Sequence, residues 1–199
     1  NQEVIDSSVC AGCVEEPMLH VVRQKRLKGV LDNAEQLLAP SEFFAGFYRN
    51  NGFASDHVIV NKNGVMRPRS KPTRIRQSGP VRFGYVGGHS RIKGFHLVEK
   101  VFRSMGKEVQ LKMVDNMLSL GLSSYDNVAL TRQENVKIIP AYSQDNIDDF
   151  FSSIDVLLFP TQWNESFCLT VREAIARDGW VIVTAAGGVT EDIVEGVNV

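Results

Sequence analysis

The sequence lacks several features that would assign it to a broad class of protein. No apolar run approaches the roughly 18 residues that a membrane-spanning helix needs. The 22 Lys and Arg are balanced by 23 Asp and Glu, so the chain has no basic excess and a nucleic-acid-binding protein is not expected. Three cysteines are too few for a disulfide framework. No Asp-x-Asp pair occurs, and the four histidines show no metal-ligand spacing, so we expect no metal site and no cofactor.

The two ends of the chain indicate a piece of a longer protein. The chain begins without Met or a signal peptide, and it stops at EGVNV without a terminating helix or a polar tail. Near the start, Cys10 and Cys13 form a CxxC pair. Zinc needs four ligands, and only His20 lies nearby, so two inert thiols are the favoured interpretation. A metal site completed by residues of a longer chain stays open.

From Val81 onwards, short apolar strands alternate with helical patterns. Continuous apolar strands of this kind indicate a parallel sheet covered by helices on both faces, which is a doubly wound, Rossmann-like α/β domain. Ligands of such sheets bind beyond the carboxyl ends of the strands, where the strand order reverses. The predicted strands are Val81–Val86, Val109–Val114, Val136–Ile139, Asp155–Phe159 and Trp180–Thr184.

The first 64 residues have a different pattern and form a helical and strand-like appendage. Pro17–Asn33 reads as a helix with a basic run, which is usually a solvated face and less often a membrane-surface contact. Ser41 is expected to start a second helix. Residues 65–79, with two prolines in the stretch 66–79, are interpreted as a linker to a domain spanning 80–199. Within that domain Ser143 and Thr190 are each expected to start a helix.

The segment Asn164–Ala176 carries two glutamates, Glu165 and Glu173, with seven residues between them. Glu165 lies in the loop after a predicted strand and Glu173 in the following helix, so both can face the carboxyl edge of the sheet. A carboxylate there can accept hydrogen bonds from the adjacent hydroxyls of a ribose or a sugar, each worth about 1.5–3 kcal/mol. The backbone N–H groups of Ser166, Phe167 and Cys168 could attract a diphosphate. The alternative, two solvated helix-end charges, is disfavoured by the apolar residues around them.

The segment FGYVGGHSRIKG places a glycine turn between a strand and a helix. Gly87 and Gly88 would let the backbone approach a phosphate closely. Lys93 could meet the phosphate charge, and Arg91 could assist. A dinucleotide-binding GxGxxG is absent, and so is a Walker phosphate loop. On this segment alone, a plain strand–turn–helix corner with a surface lysine is an equally good interpretation.

Three stretches together resemble a known family of enzymes. They are VRFGYVGGHSRIKGFHLVEKVF, the segment from DVLLFPTQWNESFCLTVREAIARDGW to the C-terminus with its Glu-x7-Glu spacing, and QLLAPSEFFAGFYRNNGFASDHVIVNKNGV. The chain resembles the C-terminal, donor-binding half of family 4 glycosyltransferases of the GT-B architecture. By this resemblance residues 1–64 correspond to the tail end of the acceptor domain, 65–79 to the interdomain linker, and 80–199 to the nucleotide-sugar-binding domain.

The resemblance implies roles for particular residues. Lys93 matches the basic residue that contacts the nucleotide diphosphate, and Glu173 matches the carboxylate that binds the ribose hydroxyls. Glu165 matches the carboxylate near the donor sugar. The positions whose backbone reaches the sugar and phosphate correspond to Phe167, Cys168 and Leu169. Family members are typically retaining and independent of metals, which agrees with the missing Asp-x-Asp.

Two departures from the family pattern stand out. The family usually has Arg five residues before the lysine, where this chain has Gly88. The family's Glu-Gly-Phe-Gly is here Glu165-Ser166-Phe167-Cys168, so two glycines are lost and the loop is narrower. Because most of the acceptor domain is also missing, we expect this chain to bind the donor more readily than it catalyses the transfer.

The function expected from the sequence is retaining, metal-independent transfer of a hexose from a nucleotide-diphosphate sugar to a glycan or lipid acceptor. We expect it in the cytoplasm, with peripheral contact at the inner face of a membrane as a further option. One alternative is a nucleotide-sugar epimerase, which would need a second set of acid–base groups. Another is a non-catalytic relative that binds a partner, which Gly88 at the expected Arg position favours.

Overall fold

A computed structural model of the chain describes residues 12, 14–53, 56–70 and 78–197. Cys10, Cys13 and residues 71–77 of the expected linker lie outside the described residues. The chain divides into two units, one ending at Lys62 and the other beginning at Asn63.

The first unit contains two helices and a two-stranded parallel sheet. In chain order its elements are α1 (Pro17–Asp32), β1 (Leu37–Ala39), α2 (Glu42–Asn50) and β2 (Val58–Val60). The side chain of Ser41 accepts a hydrogen bond from the backbone N–H of Phe44 at 3.0 Å, so Ser41 caps α2 as expected. No residue of α1 is buried, which agrees with a solvated basic helix.

The second unit is a five-stranded, all-parallel sheet flanked by helices. Its order is β5-β4-β3-β6-β7, so the chain winds outward from β3 in one direction and then, from β6, in the other. This confirms the doubly wound Rossmann-like α/β fold. Its strands are β3 (Val81–Tyr85), β4 (Val109–Asp115), β5 (Val136–Pro140), β6 (Val156–Phe159) and β7 (Trp180–Val183). Its helices are α3 (Phe95–Phe102), α4 (Ile147–Ser152) and α5 (Leu169–Ile175), with 3-10 turns at Leu118–Leu120 and Ala129–Arg132.

Two separate apolar clusters lie on the two faces of this sheet. Met113 belongs to the cluster that contains the buried residues of α3. The next residue, Val114, belongs to the cluster that contains α4 and α5. Because successive strand residues point to opposite faces, this alternation places α3 on one face and α4 and α5 on the other.

The turn between β3 and α3 is held tightly against the end of β6. The buried hydroxyl of Tyr85 lies 3.1 Å from the carbonyl oxygen of Gly88 and 3.3 Å from that of Lys93. Gly94 has φ +78°, and a Cβ there would lie 2.7 Å from the carbonyl carbon of Pro160. Only glycine allows both the left-handed backbone and this close approach. The turn is therefore fixed relative to the loop that follows β6.

Two helix starts expected from the sequence are wrong. Asn146, not Ser143, is the residue before α4, and its Oδ1 accepts a hydrogen bond from the Ser143 N–H at 2.6 Å. The amide side chain thus closes a turn at the place where the sequence favoured a Ser cap. Residues 188–192 form turns rather than a helix begun at Thr190, and Asp192 is instead paired with Arg172 at 2.7 Å.

A glycine pair in this turn offers a test of the packing. We expect Gly94→Ala to lower the free energy of unfolding by about 2–4 kcal/mol, since backbone strain and the overlap with Pro160 add. Gly88→Ala is the matched control, because Gly88 also has a positive φ of 63° but open space beside it among the described residues. Strain alone should cost it about 1–2 kcal/mol. Urea unfolding measures both, and equal losses would contradict the close approach.

Candidate functional site

The loops at the carboxyl ends of β3 and β6 meet where the strand order reverses. Lys93, from the first loop, and Glu165, from the second, form an ion pair with Nζ and Oε1 separated by 2.6 Å. The hydroxyl of Thr161 donates to the same carboxylate oxygen at 2.9 Å. The side chain of Glu165 is only 16% exposed and that of Lys93 37%, so neither is a fully solvated charge. The sheet therefore places a cation and a carboxylate at its switch point.

The loop after β7 holds Glu165 from the other side. The Glu165 N–H donates to the carbonyl of Ala186 at 3.3 Å, and the Gly188 N–H donates to the carbonyl of Glu165 at 2.8 Å. These bonds form a short parallel bridge between Glu165 and Gly187. The loop after β7 therefore fixes the backbone of Glu165.

The second glutamate, Glu173, is a buried carboxylate in α5. It is 8% exposed, and its Oε2 lies 3.4 Å from the hydroxyl of Tyr142, which follows β5. Burial raises the pKa of Glu173, although hydrogen bonds from Tyr142 and Gln144 and the charge of Arg177 act in the opposite direction. A carboxylate at this sheet edge whose burial is only partly offset by its partners suits a ligand that supplies further hydrogen-bond donors. The solvated helix-end interpretation does not hold for either glutamate.

Cys168 lies between the two glutamates and precedes α5 directly. Its backbone has φ +66°, a left-handed conformation that is uncommon for a residue with a side chain. Burial raises the pKa of its thiol to about 11, and the charges of Glu165, Lys93 and Arg172 all act on it. A raised pKa favours the protonated thiol, which is the less reactive form of cysteine.

The remaining residues expected in the site occupy its rim or its backbone frame. Gly87 packs against Tyr85 and against the Cβ of Lys93, where a side chain would overlap both. Arg91 is exposed, and within the described part of the chain its guanidinium makes no hydrogen bond or ion pair. The partly buried Ser166 and the half-exposed Leu169 flank the loop, while the ring of Phe167 is buried beneath Arg172.

Sequence reasoning missed three residues that the fold brings to this site: Thr161, Tyr142 and Arg172. Thr161 is buried directly after the Pro160 that ends the strand pattern. Tyr142 lies two residues beyond the end of β5, and position relative to a predicted strand could have found it. Arg172 reads as an ordinary charge within a helix, yet it is 8% exposed.

Neither a metal cluster nor a membrane span occurs in the part of the chain that the structure covers. No three His, Cys, Asp or Glu side chains of residues 12, 14–53, 56–70 and 78–197 converge as metal ligands would. Within those same ranges, no helix has the length and apolar content to cross a bilayer.

Comparison with known proteins identifies the family. The family model described as glycosyl transferases group 1 matches residues 67–198, which include all five strands of the large sheet. The chain belongs to this family. The match covers both glutamates, the lysine and the loops around them.

Individual relatives of this glycosyltransferase chain agree with the assignment. A lipopolysaccharide 1,2-N-acetylglucosaminetransferase of Salmonella typhimurium is 23% identical over 188 residues, which are 84% of this chain and 48% of that protein. The Anabaena protein HepE, crystallised with UDP and glucose, superposes with a TM-score of 0.70 at 18% identity over 89% of this chain and 52% of its own. The catalytic domain of starch synthase IV from Arabidopsis thaliana gives a TM-score of 0.65 at 14% identity, over 85% and 43% respectively. The chain thus spans about half the length of these relatives.

The buried carboxylate of Glu173 makes a prediction about stability. A carboxyl group whose pKa is raised on folding weakens the folded state as pH rises through that pKa, because its charged form is disfavoured there. Glu173→Gln mimics the protonated form, so we expect it to raise the free energy of unfolding at pH 7–8. The gain should vanish below the ordinary glutamate pKa of about 4.

Thermal unfolding at several pH values measures this effect. Glu134→Gln is a suitable control, because Glu134 is 83% exposed and pairs only at the surface with Lys107. A Glu173→Gln chain that is less stable than wild type at neutral pH would show that the hydrogen bonds of this carboxylate outweigh its burial.

Proposed function

We propose that this chain is the donor-binding half of a retaining, metal-independent hexosyltransferase. The whole protein would move a hexose from a nucleoside-diphosphate sugar to a glycan or lipid acceptor. What carries the proposal is one observation: in a group 1 glycosyltransferase chain, Lys93 and Glu165 pair between loops at the switch point of the parallel sheet, and the buried Glu173 lies in α5, the helix that follows the Glu165 loop. The relatives named for UDP, for glucose and for lipopolysaccharide support a sugar-nucleotide donor and a glycan-type acceptor.

The proposed roles follow from the charge and burial of each residue. Lys93 is positively charged and partly exposed, so it can meet the diphosphate and stabilise the negative charge that builds as the bond to the anomeric carbon breaks. Glu173 is buried and pre-set by Tyr142, so it can accept hydrogen bonds from two ribose hydroxyls. Glu165 would then orient the donor sugar.

The departures of this chain from the family pattern fit the same scheme. Gly88 leaves open space beside the turn, so the diphosphate would rely on Lys93 and on backbone N–H groups. Arg91 is exposed on the same turn and can approach a bound phosphate. We propose that the whole enzyme acts in the cytoplasm, at the inner face of a membrane if its acceptor is a lipid.

Nucleotide binding by the 199-residue chain tests this proposal. Ligand-observed NMR with UDP, GDP, TDP, CMP and NAD should show one nucleoside diphosphate bound in the micromolar-to-millimolar range, about −8 to −4 kcal/mol. We expect Lys93→Met to weaken binding of the nucleoside diphosphate about tenfold. Binding of the monophosphate of the same nucleoside should change little. Lys107→Met is the control, since Lys107 is 87% exposed and precedes β4 at the opposite edge of the sheet.

A ligand pair separates the role of Glu173 from a general loss of fold. Glu173→Ala should weaken the diphosphate about tenfold, yet leave the weaker binding of its 2′,3′-dideoxy analogue unchanged. If no nucleotide binds to the folded chain, or if both ligands lose affinity equally, the proposed donor site is wrong and the non-catalytic alternative is favoured.

The ion pair between Lys93 and Glu165 makes a less obvious prediction. Because Glu165 neutralises Lys93 at 2.6 Å, Glu165→Gln should free the ammonium group and bind the diphosphate about three- to tenfold more tightly. The gain should shrink at high salt. Titration of UDP at low and high ionic strength measures it, and a weaker complex would show that Glu165 favours binding by holding Lys93 in place rather than opposing it by neutralisation.

A further inference from the structure

We propose that Arg172 is a positioning residue that ties together two loops of the donor site and so sets where the carboxylate of Glu165 meets the donor sugar. The inference rests on the proposed function for its ligand, but its contacts are independent of that ligand. The two loops are the Glu165 loop (residues 165–168) and the Gly187 loop (residues 185–192).

The guanidinium of Arg172 donates to backbone carbonyls of both loops. Its Nη1 donates to the carbonyl oxygen of Phe167 and, at 3.2 Å, to that of Cys168. Its Nη2 donates to the carbonyl oxygen of Gly188 at 3.0 Å. One side chain in the first turn and a half of α5 therefore holds the loop before the helix and the loop after β7.

Charge and stacking fix the orientation of this guanidinium. The Oδ2 atom of Asp192 accepts from Nε at 3.0 Å and from Nη2 at 2.7 Å. The ring of Phe167 stacks on the group, with its centroid 3.6 Å from Cζ. A planar group with five donors can meet these partners at once, whereas a lysine ammonium presents a single point charge.

The same contacts also constrain the backbone of Glu165. Glu165 is bonded through its backbone to Ala186 and Gly188, and Gly188 is one of the residues that Arg172 holds. The Arg172 side chain is 9% exposed, and its donors point at backbone carbonyls and at the Asp192 carboxylate, so it is not placed to contact substrate itself. A buried arginine and its carboxylate partner are often no better for stability than apolar residues of similar size. Stability alone therefore does not explain a buried arginine at this position, whereas positioning of the two loops does.

The experiment compares a nucleotide sugar with its parent diphosphate. UDP, UDP-glucose, UDP-galactose and UDP-N-acetylglucosamine are titrated into wild type, and the sugar with the largest affinity ratio to UDP is kept. In Arg172→Met and Arg172→Lys we expect the affinity for this nucleotide sugar, relative to the affinity for UDP, to fall at least fivefold, with both Kd values corrected for the folded fraction. Asp192→Asn keeps the arginine and should shift the ratio two- to threefold in the same direction.

Arg82→Met is the matched control for a general loss of stability. Arg82 also forms a two-point pair with a carboxylate, Asp155, but at the amino end of β3, away from the site. It should lower the melting temperature and leave the ratio unchanged. If the Arg172 variants also lower the melting temperature with an unchanged ratio, or if Arg172→Lys behaves as wild type, the positioning role is overturned.

A second readout separates failure of this inference from failure of the proposed function. The amide of Gly188 donates to Glu165, so its hydrogen exchange reports on the joined loops without any ligand. In Arg172→Met we expect this amide to exchange at least tenfold faster, beyond any change in the β4 core amides. If no nucleotide binds wild type, the proposed function fails, and unchanged exchange at Gly188 would then overturn the joining of the loops as well.

Discussion

The parallel pairing of β3 with both β4 and β6 is the constraint on which the rest of this unit depends. It puts the carboxyl ends of two central strands side by side while α3 and α5 leave towards opposite faces of the sheet. The loops after β3 and β6 must then meet, and glycine at position 94 permits one loop to approach Pro160 of the other closely. Lys93 and Glu165 are neighbours because each lies in one of these two adjacent loops.

The buried charge of Glu173 at this edge of the sheet disfavours the folded state. Glu173 is a buried carboxylate whose pKa stays raised despite its partners, whereas Asp115, at the end of β4, is more deeply buried and yet has a lowered pKa. Asp115 accepts hydrogen bonds from Met117, Ser123 and Ser124, and although burial alone would raise its pKa, these bonds hold it below the ordinary value. The two acids show the difference between a carboxylate that supports a loop and one that is left available for a ligand.

Much of the second unit could be predicted from sequence because continuous apolar strands and helical stripes are local signals. The Ser41 cap could also be predicted, since it depends on Phe44, only three positions along the chain. The helix expected after Ser143 is present as α4, but its start was wrong because the Asn146 side chain closes a turn with Ser143. The helix expected at Thr190 is absent, and Asp192 there pairs instead with Arg172, twenty residues away. Arg172 itself gave no signal, because a buried charge is recognised only by its contacts across the fold.

Cys168 shows what the loss of a loop glycine means for the site. A glycine at this position would sample many backbone conformations, of which the left-handed one at φ +66° is a single member. A residue with a side chain has fewer conformations to lose, so ordering the loop costs less entropy, both during folding and when a ligand arrives. The positive φ of Cys168 costs about 1–3 kcal/mol of backbone strain. This strain is already present in the folded chain before any ligand binds.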